Sequence, residues 1–505
     1  MRKTISPFGR QVSRSGYVVA ILTIFFVSTV PVSRCAQPPS SIPDIRVVDE
    51  FLQNTMTSYR IPGLAVAIVS DDQVVFTSGY GQAAPGVDVT PTTPFLLGST
   101  TKVFTALAVM RLVEQGKLNL DSPVKNYVPE FQLALPGSEE NITIRHLLHH
   151  TSGLSGRCMP GTTSGEDSLE EELVSLRSCV PDSAPGEDYT YFNVNYRLLG
   201  LVIERVSGME YGEFLGAEIF EPLSMAATFA GPDGVEGLAS GNGQLFGFPF
   251  PRNQEFRPGA LPSGYLVSTA SDLAQFLVAE IQAGLGNAGP LDPETVKATW
   301  NPPGSSDEEY AMGWLVVDDE AHGRILVHGG ALENYQSFFY VNPQSKLGFV
   351  VLVNQGGLFP MYLGFTAVRN GLLSIMIGEQ PESGPKRWPI VIVTAIFFSS
   401  VGIAGLWTLR LKTWESRTAR QGPWKRWLGV FIELTWPCFL LFGLMPLVNM
   451  LPGEGADWAM LYGLVPELFF LFVFSICLGF FRGFFKIWRL AGNVRNAVSQ
   501  GPLVE

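Results

Sequence analysis

Leu96-Leu97-Gly98-Ser99-Thr100-Thr101-Lys102 leads without interruption into Val103-Phe104-Thr105-Ala106-Leu107-Ala108-Val109-Met110-Arg111-Leu112-Val113. The second stretch is apolar, has the length of a helix and is closed by Gln115-Gly116-Lys117. A helix buried on all sides is therefore expected, with Ser99 in its first turn. Lys102 lies three positions on, on the same face as Ser99. A serine hydroxyl is a weak nucleophile unless a base stands within hydrogen-bond reach. A lysine held on the same face and partly desolvated is one way to supply it. The start of the helix also aims backbone N–H groups at any oxyanion that develops there. Read blandly, Ser99 and Lys102 are a helix cap and a surface lysine.

A Ser-x-x-Lys alone says little, and the chain holds two more, Ser122-Pro123-Val124-Lys125 and Ser383-Gly384-Pro385-Lys386. The first sits in a short polar linker and the second beside an apolar segment, so neither has the context of Ser99. The Ser99 motif gains its weight from two others placed in order further along the chain: Tyr191-Phe192-Asn193, then His328-Gly329-Gly330. A second Tyr-x-Asn, Tyr340-Val341-Asn342, lies within a strand pattern.

Strand patterns flank the helical middle. Gly63–Val69, a turn at Ser70-Asp71-Asp72 and Gln73–Ser78 read as a β-hairpin. Residues 118–225 are helical and loop-rich. After Gly264 the pattern returns to strands at 311–317, 323–328, 337–341 and 346–353, the last two joined by the turn Asn342-Pro343-Gln344-Ser345. The expected fold is α/β, one antiparallel sheet built from both ends of the domain, flanked by helices and interrupted by a helical insertion.

These residues resemble the active-site set of the serine beta-lactamase-like superfamily, close to class C beta-lactamases, D-alanyl-D-alanine carboxypeptidases and penicillin-binding proteins. The resemblance covers roughly 45–375 and includes Ile144–Leu154, Pro185-Gly186, Tyr196–Gly200, Gly264–Leu273 and Tyr310–Trp314. It implies that Ser99 is the acylated nucleophile, Lys102 its helix partner and Tyr191 the phenol that exchanges a proton with serine and leaving group. It implies that Asn193 binds Lys102 and substrate, and that the Ala331 N–H joins that of Ser99 as the oxyanion hole. His328 takes the place of a lysine and would recognise a substrate carboxylate in a pH-dependent way, its ordinary pKa being about 6.5. Gly329 lacks the hydroxyl that would assist it, and Gly330 would leave room for substrate at the strand edge. Phe192 stands where serine or alanine is common and would narrow the pocket. The expected substrate is a small molecule or peptide, such as a D-Ala-terminated cell-wall stem peptide, another D-amino-acid peptide or an ester.

The rest of the chain concerns location. The 505 residues carry a net charge of −12 and no basic tract suited to nucleic acid. Residues 1–36, basic and then apolar from Tyr17 to Val32, read as a signal peptide or signal anchor. Runs at 388–409, 427–451 and 458–480 each have the length to span a bilayer and each begin with tryptophan. Arg410, Lys412, Arg417, Arg420, Lys425 and Arg426 lie between the first two, acidic Pro452–Asp457 between the second and third, and Arg482, Lys486, Arg489 and Arg495 in the tail 481–505. The positive-inside rule then puts the catalytic domain outside and the tail in the cytoplasm. Glu433 and Glu467 fall within spans, which keeps open a second reading: a ligand- or beta-lactam-sensing domain that signals through its helices. Cys158 and Cys179 lie 21 residues apart, and an exported domain permits a disulfide between them. No cofactor is implied and no metal-ligand spacing occurs; His146, His149 and His150 read as a packed helix end stopping at Gly153.

Overall fold

The computed structural model describes residues 43–156, 168–303, 309–319, 322–381, 384, 388–418, 422–444 and 458–499. The described residues up to 384 form one unit and those from 388 a second. The expectations for 1–36 and for Cys158 lie outside the described residues; Cys179 is disulfide-bonded.

A seven-stranded antiparallel sheet organises the first unit. Its strands are β1 (Gly63–Ser70), β2 (Gln73–Ala84), β3 (Val87–Asp88), β4 (Leu315–Asp319), β5 (Gly323–Ala331), β6 (Gln336–Asn342) and β7 (Leu347–Val353), in the order β3-β2-β1-β7-β6-β5-β4. The two ends of the domain meet where β1 pairs with β7, Leu64 opposite Val353 and Ser70 opposite Leu347. Alternation along β1 sends its side chains to two cores. Leu64, Val66 and Ile68 face a layer that includes Val48, Leu52, Val368 and Leu372 from helices Ile45–Tyr59 and Thr366–Met376. Ala65, Ala67 and Val69 face the larger core, shared with helix α1 (Thr101–Glu114) and the helical region.

One strand differs from expectation. The segment from Ala311 is not extended until Leu315, because Gly313 turns the chain with a φ of +79° and presses on α1: a Cβ there would lie 2.8 Å from the Lys102 carbonyl oxygen.

In the second unit three helices are long and apolar enough to cross a membrane: Trp388–Leu409, Trp424–Gly443 and Pro466–Ala491. The third expected run is split. Trp458–Leu464 is a separate helix, and Pro466, which has no N–H to donate, opens a new one that continues to Ser499. Glu433 does not stand alone on its helix. It accepts from Arg482 Nη2 at 2.7 Å and from Lys486 Nζ at 3.0 Å. Gly479 and Gly483 let the two helices approach, since a Cβ at Gly483 would lie 2.4 Å from the Leu434 side chain. Glu433 thus ties two helices together.

Candidate active site

Ser99 lies in a single 3-10 turn, Gly98–Thr100, that feeds directly into α1. Eleven of the fourteen residues of α1 are buried, so the helix runs through the core and cannot shift without repacking. Its start is clamped to β5 and β6. The Leu97 carbonyl accepts from Ser337 Oγ at 2.5 Å and Thr100 Oγ1 at 2.9 Å. Gly98 adopts a φ of +58°, and a Cβ on it would meet the Ala331 backbone nitrogen at 2.7 Å. Both the dihedral and the approach require glycine there.

Gly330 has a different role from the one expected. The space beside it is occupied by the Leu97 carbonyl, which an added Cβ would meet at 2.0 Å, with Ser99 N at 3.1 Å. Gly330 therefore lets the Ser99 turn approach the strand closely. The same packing brings the backbone of Ser99 beside that of Ala331.

Lys102 is fully buried. A buried ammonium must be compensated, and its Nζ donates to Asn193 Oδ1 at 2.7 Å and to the Ser263 carbonyl oxygen at 2.7 Å. It also lies 5.0 Å from the centroid of the Tyr191 ring and 5.7 Å from that of Tyr196. Asn193 reaches it from the first residue of helix α2 (Asn193–Ser207). Thus the first and second motifs meet at Lys102, although 91 residues separate Lys102 from Asn193. The competing Lys125 instead pairs with Glu139 and Glu140 at 3.3 and 2.6 Å, and Tyr340 is buried within β6.

His328 points inward. It is 3 % exposed, and its Nε2 lies 3.3 Å from the Tyr310 hydroxyl. Burial, with the nearby Lys102 ammonium adding to it, pushes its pKa down to about 3. This burial runs against the expected gain of charge near pH 6 and favours the neutral ring there. The third motif presents a neutral, hydrogen-bonded imidazole.

Sequence reasoning missed several neighbours. The Ser263 carbonyl carries no side-chain signal. Tyr310 and Tyr189 complete an aromatic wall, their ring centroids 5.9 Å apart, with Tyr191 6.0 Å from Tyr310. His150, expected as helix-end packing, lies with its ring 4.4 Å from that of Tyr191. Among the described residues no group of three or more His, Cys, Asp or Glu side chains is placed to hold a metal.

A serine at the head of a buried helix, a buried lysine on its next turn and a Tyr-x-Asn closing over that lysine define a serine-hydrolase fold of the beta-lactamase, esterase and penicillin-binding type. The chain belongs to the beta-lactamase family: the family model described as "Beta-lactamase" matches residues 48–370. It is 30% identical over 320 residues to Protein flp of Staphylococcus aureus (strain COL), covering 61% of this chain and 62% of that one, so it spans less than two thirds of that relative. It is 31% identical over 358 residues to Esterase EstB of Burkholderia gladioli, covering 61% of this chain and 89% of the relative. Among solved structures, the octameric penicillin-binding protein homologue from Pyrococcus abyssi aligns with a TM-score of 0.57 at 28% identity, over 70% of this chain and 81% of that one. EstCE1, described as a hydrolase with promiscuous acyltransferase activity, aligns with a TM-score of 0.56 at 25% identity, over 66% of this chain and 97% of that one.

Proposed function

We propose that this chain is a membrane-anchored serine hydrolase that works through an acyl-enzyme on Ser99, with its catalytic domain outside the cell membrane. The observation that carries the reading is the buried Lys102 ammonium, held by Asn193 and Ser263 beside Tyr191 and one turn from Ser99. In this mechanism Ser99 Oγ bonds to the substrate carbonyl carbon. Tyr191, acting as its phenolate with the Lys102 charge alongside, takes the Ser99 proton. The oxyanion meets the N–H groups of Ser99 and Ala331. The bond to the leaving group then breaks, and Tyr191 returns the proton to it. Water repeats the sequence, releasing the acid and restoring Ser99.

Substrate preference follows from the third motif. A cation on this strand edge would attract a substrate carboxylate, but His328 is neutral and turned to Tyr310, and Gly329 carries no hydroxyl. Esters without a carboxylate lose nothing by this, whereas penicillins and D-Ala-terminated stem peptides lose an anchor. The similarity to an esterase and to a hydrolase with acyltransferase activity supports the same order. Membrane anchoring rests on the three long apolar helices, and the outward placement on the basic residues flanking them. The test is a comparison of the full chain, solubilised in detergent, on a p-nitrophenyl ester, a D-Ala-D-Ala peptide and nitrocefin. The ester should be turned over fastest and nitrocefin slowest; nitrocefin turnover that exceeds ester turnover contradicts the assignment.

A further inference from the structure

Tyr191 is held in place from outside its own motif. His150 follows the short helix Ile144–Leu148 and adopts a φ of 56°, a left-handed backbone uncommon outside glycine but one that histidine, like asparagine and aspartate, adopts more often than most residues. Two hydrogen bonds to this one residue bracket Tyr191. The His150 carbonyl accepts from Thr190 N at 2.8 Å, and its ring Nδ1 accepts from Phe192 N at 3.2 Å. The ring itself lies 4.4 Å from that of Tyr191, 4.9 Å from that of Tyr310 and 5.1 Å from that of Tyr196.

The protonation state is set by the same contacts. Ser152 Oγ donates to Asn195 Oδ1 at 2.8 Å, which turns the Asn195 Nδ2 group toward His150 Nδ1 at 3.1 Å. Nδ1 therefore receives two N–H groups, and the ring proton belongs on Nε2. A second proton on Nδ1 would face both donors. His150 is 1 % exposed, and burial together with the Lys102 ammonium holds its protonation well below the ordinary range. Nε2 is buried with no hydrogen-bond partner among the described residues. Packing alone would be served by any apolar ring; a left-handed histidine that bonds on both sides of one tyrosine does more than fill space.

We propose that His150 is the positioning residue for Tyr191, fixing that phenol beside Lys102 through the two bracketing hydrogen bonds and the ring contact. This rests on the reading of Tyr191 as the proton carrier. Three substitutions separate the contributions. Asparagine keeps an acceptor where Nδ1 stands and tolerates the left-handed backbone, but removes the ring. Phenylalanine keeps a ring and removes the acceptor. Alanine removes both.

The experiment measures the acylation rate and KM of the full chain on a p-nitrophenyl ester for His150→Asn, His150→Phe and His150→Ala, with a melting temperature for each and Ser99→Ala alongside. His150→Ala should lower the acylation rate about 10²-fold with KM changed less than about threefold, because a misplaced proton carrier affects the transition state and not binding. His150→Asn should be about tenfold faster than His150→Phe, whatever their melting temperatures. Should His150→Ala not fold, the comparison of Asn with Phe decides alone. Equal rates for Asn and Phe, or a faster Phe, overturn the proposal, as do rates for all three within about threefold of the parent. Ser99→Ala reports separately: acylation that survives it refutes the nucleophile and leaves the His150 comparison to be read on its own.

Discussion

Gly330→Ala places a methyl group where the structure has a carbonyl. Its carbon would lie 2.0 Å from Leu97 O, 2.3 Å from Ser337 Oγ and 3.1 Å from Ser99 N. Ordinary contact begins at 3.4 Å, so relieving the first clash takes a movement of about 1.4 Å, the difference between 3.4 and 2.0 Å. Leu97 O is backbone and is tied to Ser337 and Thr100, so the movement carries the Ser99 turn away from β5. Overpacking and the strained pair of hydrogen bonds together cost about 2–5 kcal/mol, which a domain of this size survives. The same movement separates the Ser99 and Ala331 N–H groups and should slow acylation by about 10²–10³-fold. The assay is the burst of p-nitrophenol from a p-nitrophenyl ester, with thermal unfolding on the same sample. Gly216→Ala, where nothing beyond its own neighbours and helix backbone lies within 4 Å of the new Cβ, serves as the control and should match the parent. A Gly330→Ala protein with the parent's burst rate and melting temperature would refute the argument that this glycine seats the nucleophile.

Charge and burial set three further outcomes. Glu280 is buried with Trp300 Nε1 donating to it at 2.9 Å, and burial raises its pKa from 4.5 to about 8. The folded state thus holds a proton that the unfolded chain releases above about pH 4.5, so this contribution is whole below that pH and is lost as pH rises to 8. Glu280→Gln should therefore melt increasingly above the parent between pH 5 and 8, by on the order of a few kcal/mol at the upper end, and a melting difference that stays constant over that range contradicts the assignment. With His328 at about 3, the ratio of D-Ala-D-Ala peptide to neutral ester turnover should not rise between pH 8 and 5.5; a rise of about tenfold at pH 6 would mean that His328 charges in that range after all. A reporter fused after Asn370 should be active only outside the cytoplasm, and one fused after Gly422 only within it; the reverse pattern overturns the location.

Much of the fold and of the site is legible in residue order. The apolar runs at 63–69 and 346–353 foretell strands of one sheet built from both ends of the domain, and an apolar run of helical length after Ser99 foretells a buried helix. The meeting of Lys102 with Asn193 accords with the family's order of motifs. What residue order does not disclose depends on backbone in three dimensions. The Ser263 carbonyl has no side chain to mark it. Gly313 looks like a strand residue until α1 is in place against it, and Gly330 looks like room for substrate until Leu97 occupies it. The free-solution pKa of histidine misleads for His328, whose shift comes from burial first and then from Lys102. His150 hides in a cluster of three histidines because its left-handed backbone, which lets one residue bond on both sides of Tyr191, is invisible to periodicity. Pro466 escapes notice because the apolar composition continues across it while the hydrogen-bond ladder does not.

The central claim is the covalent bond to Ser99, and mass spectrometry of the full chain after exposure to a fluorophosphonate and to a fluorescent penicillin tests it most directly. The account predicts an adduct on the peptide that contains Ser99, formed faster with the fluorophosphonate, absent in Ser99→Ala and retained in Ser122→Ala. An adduct that persists in Ser99→Ala, or that maps to another serine, contradicts it.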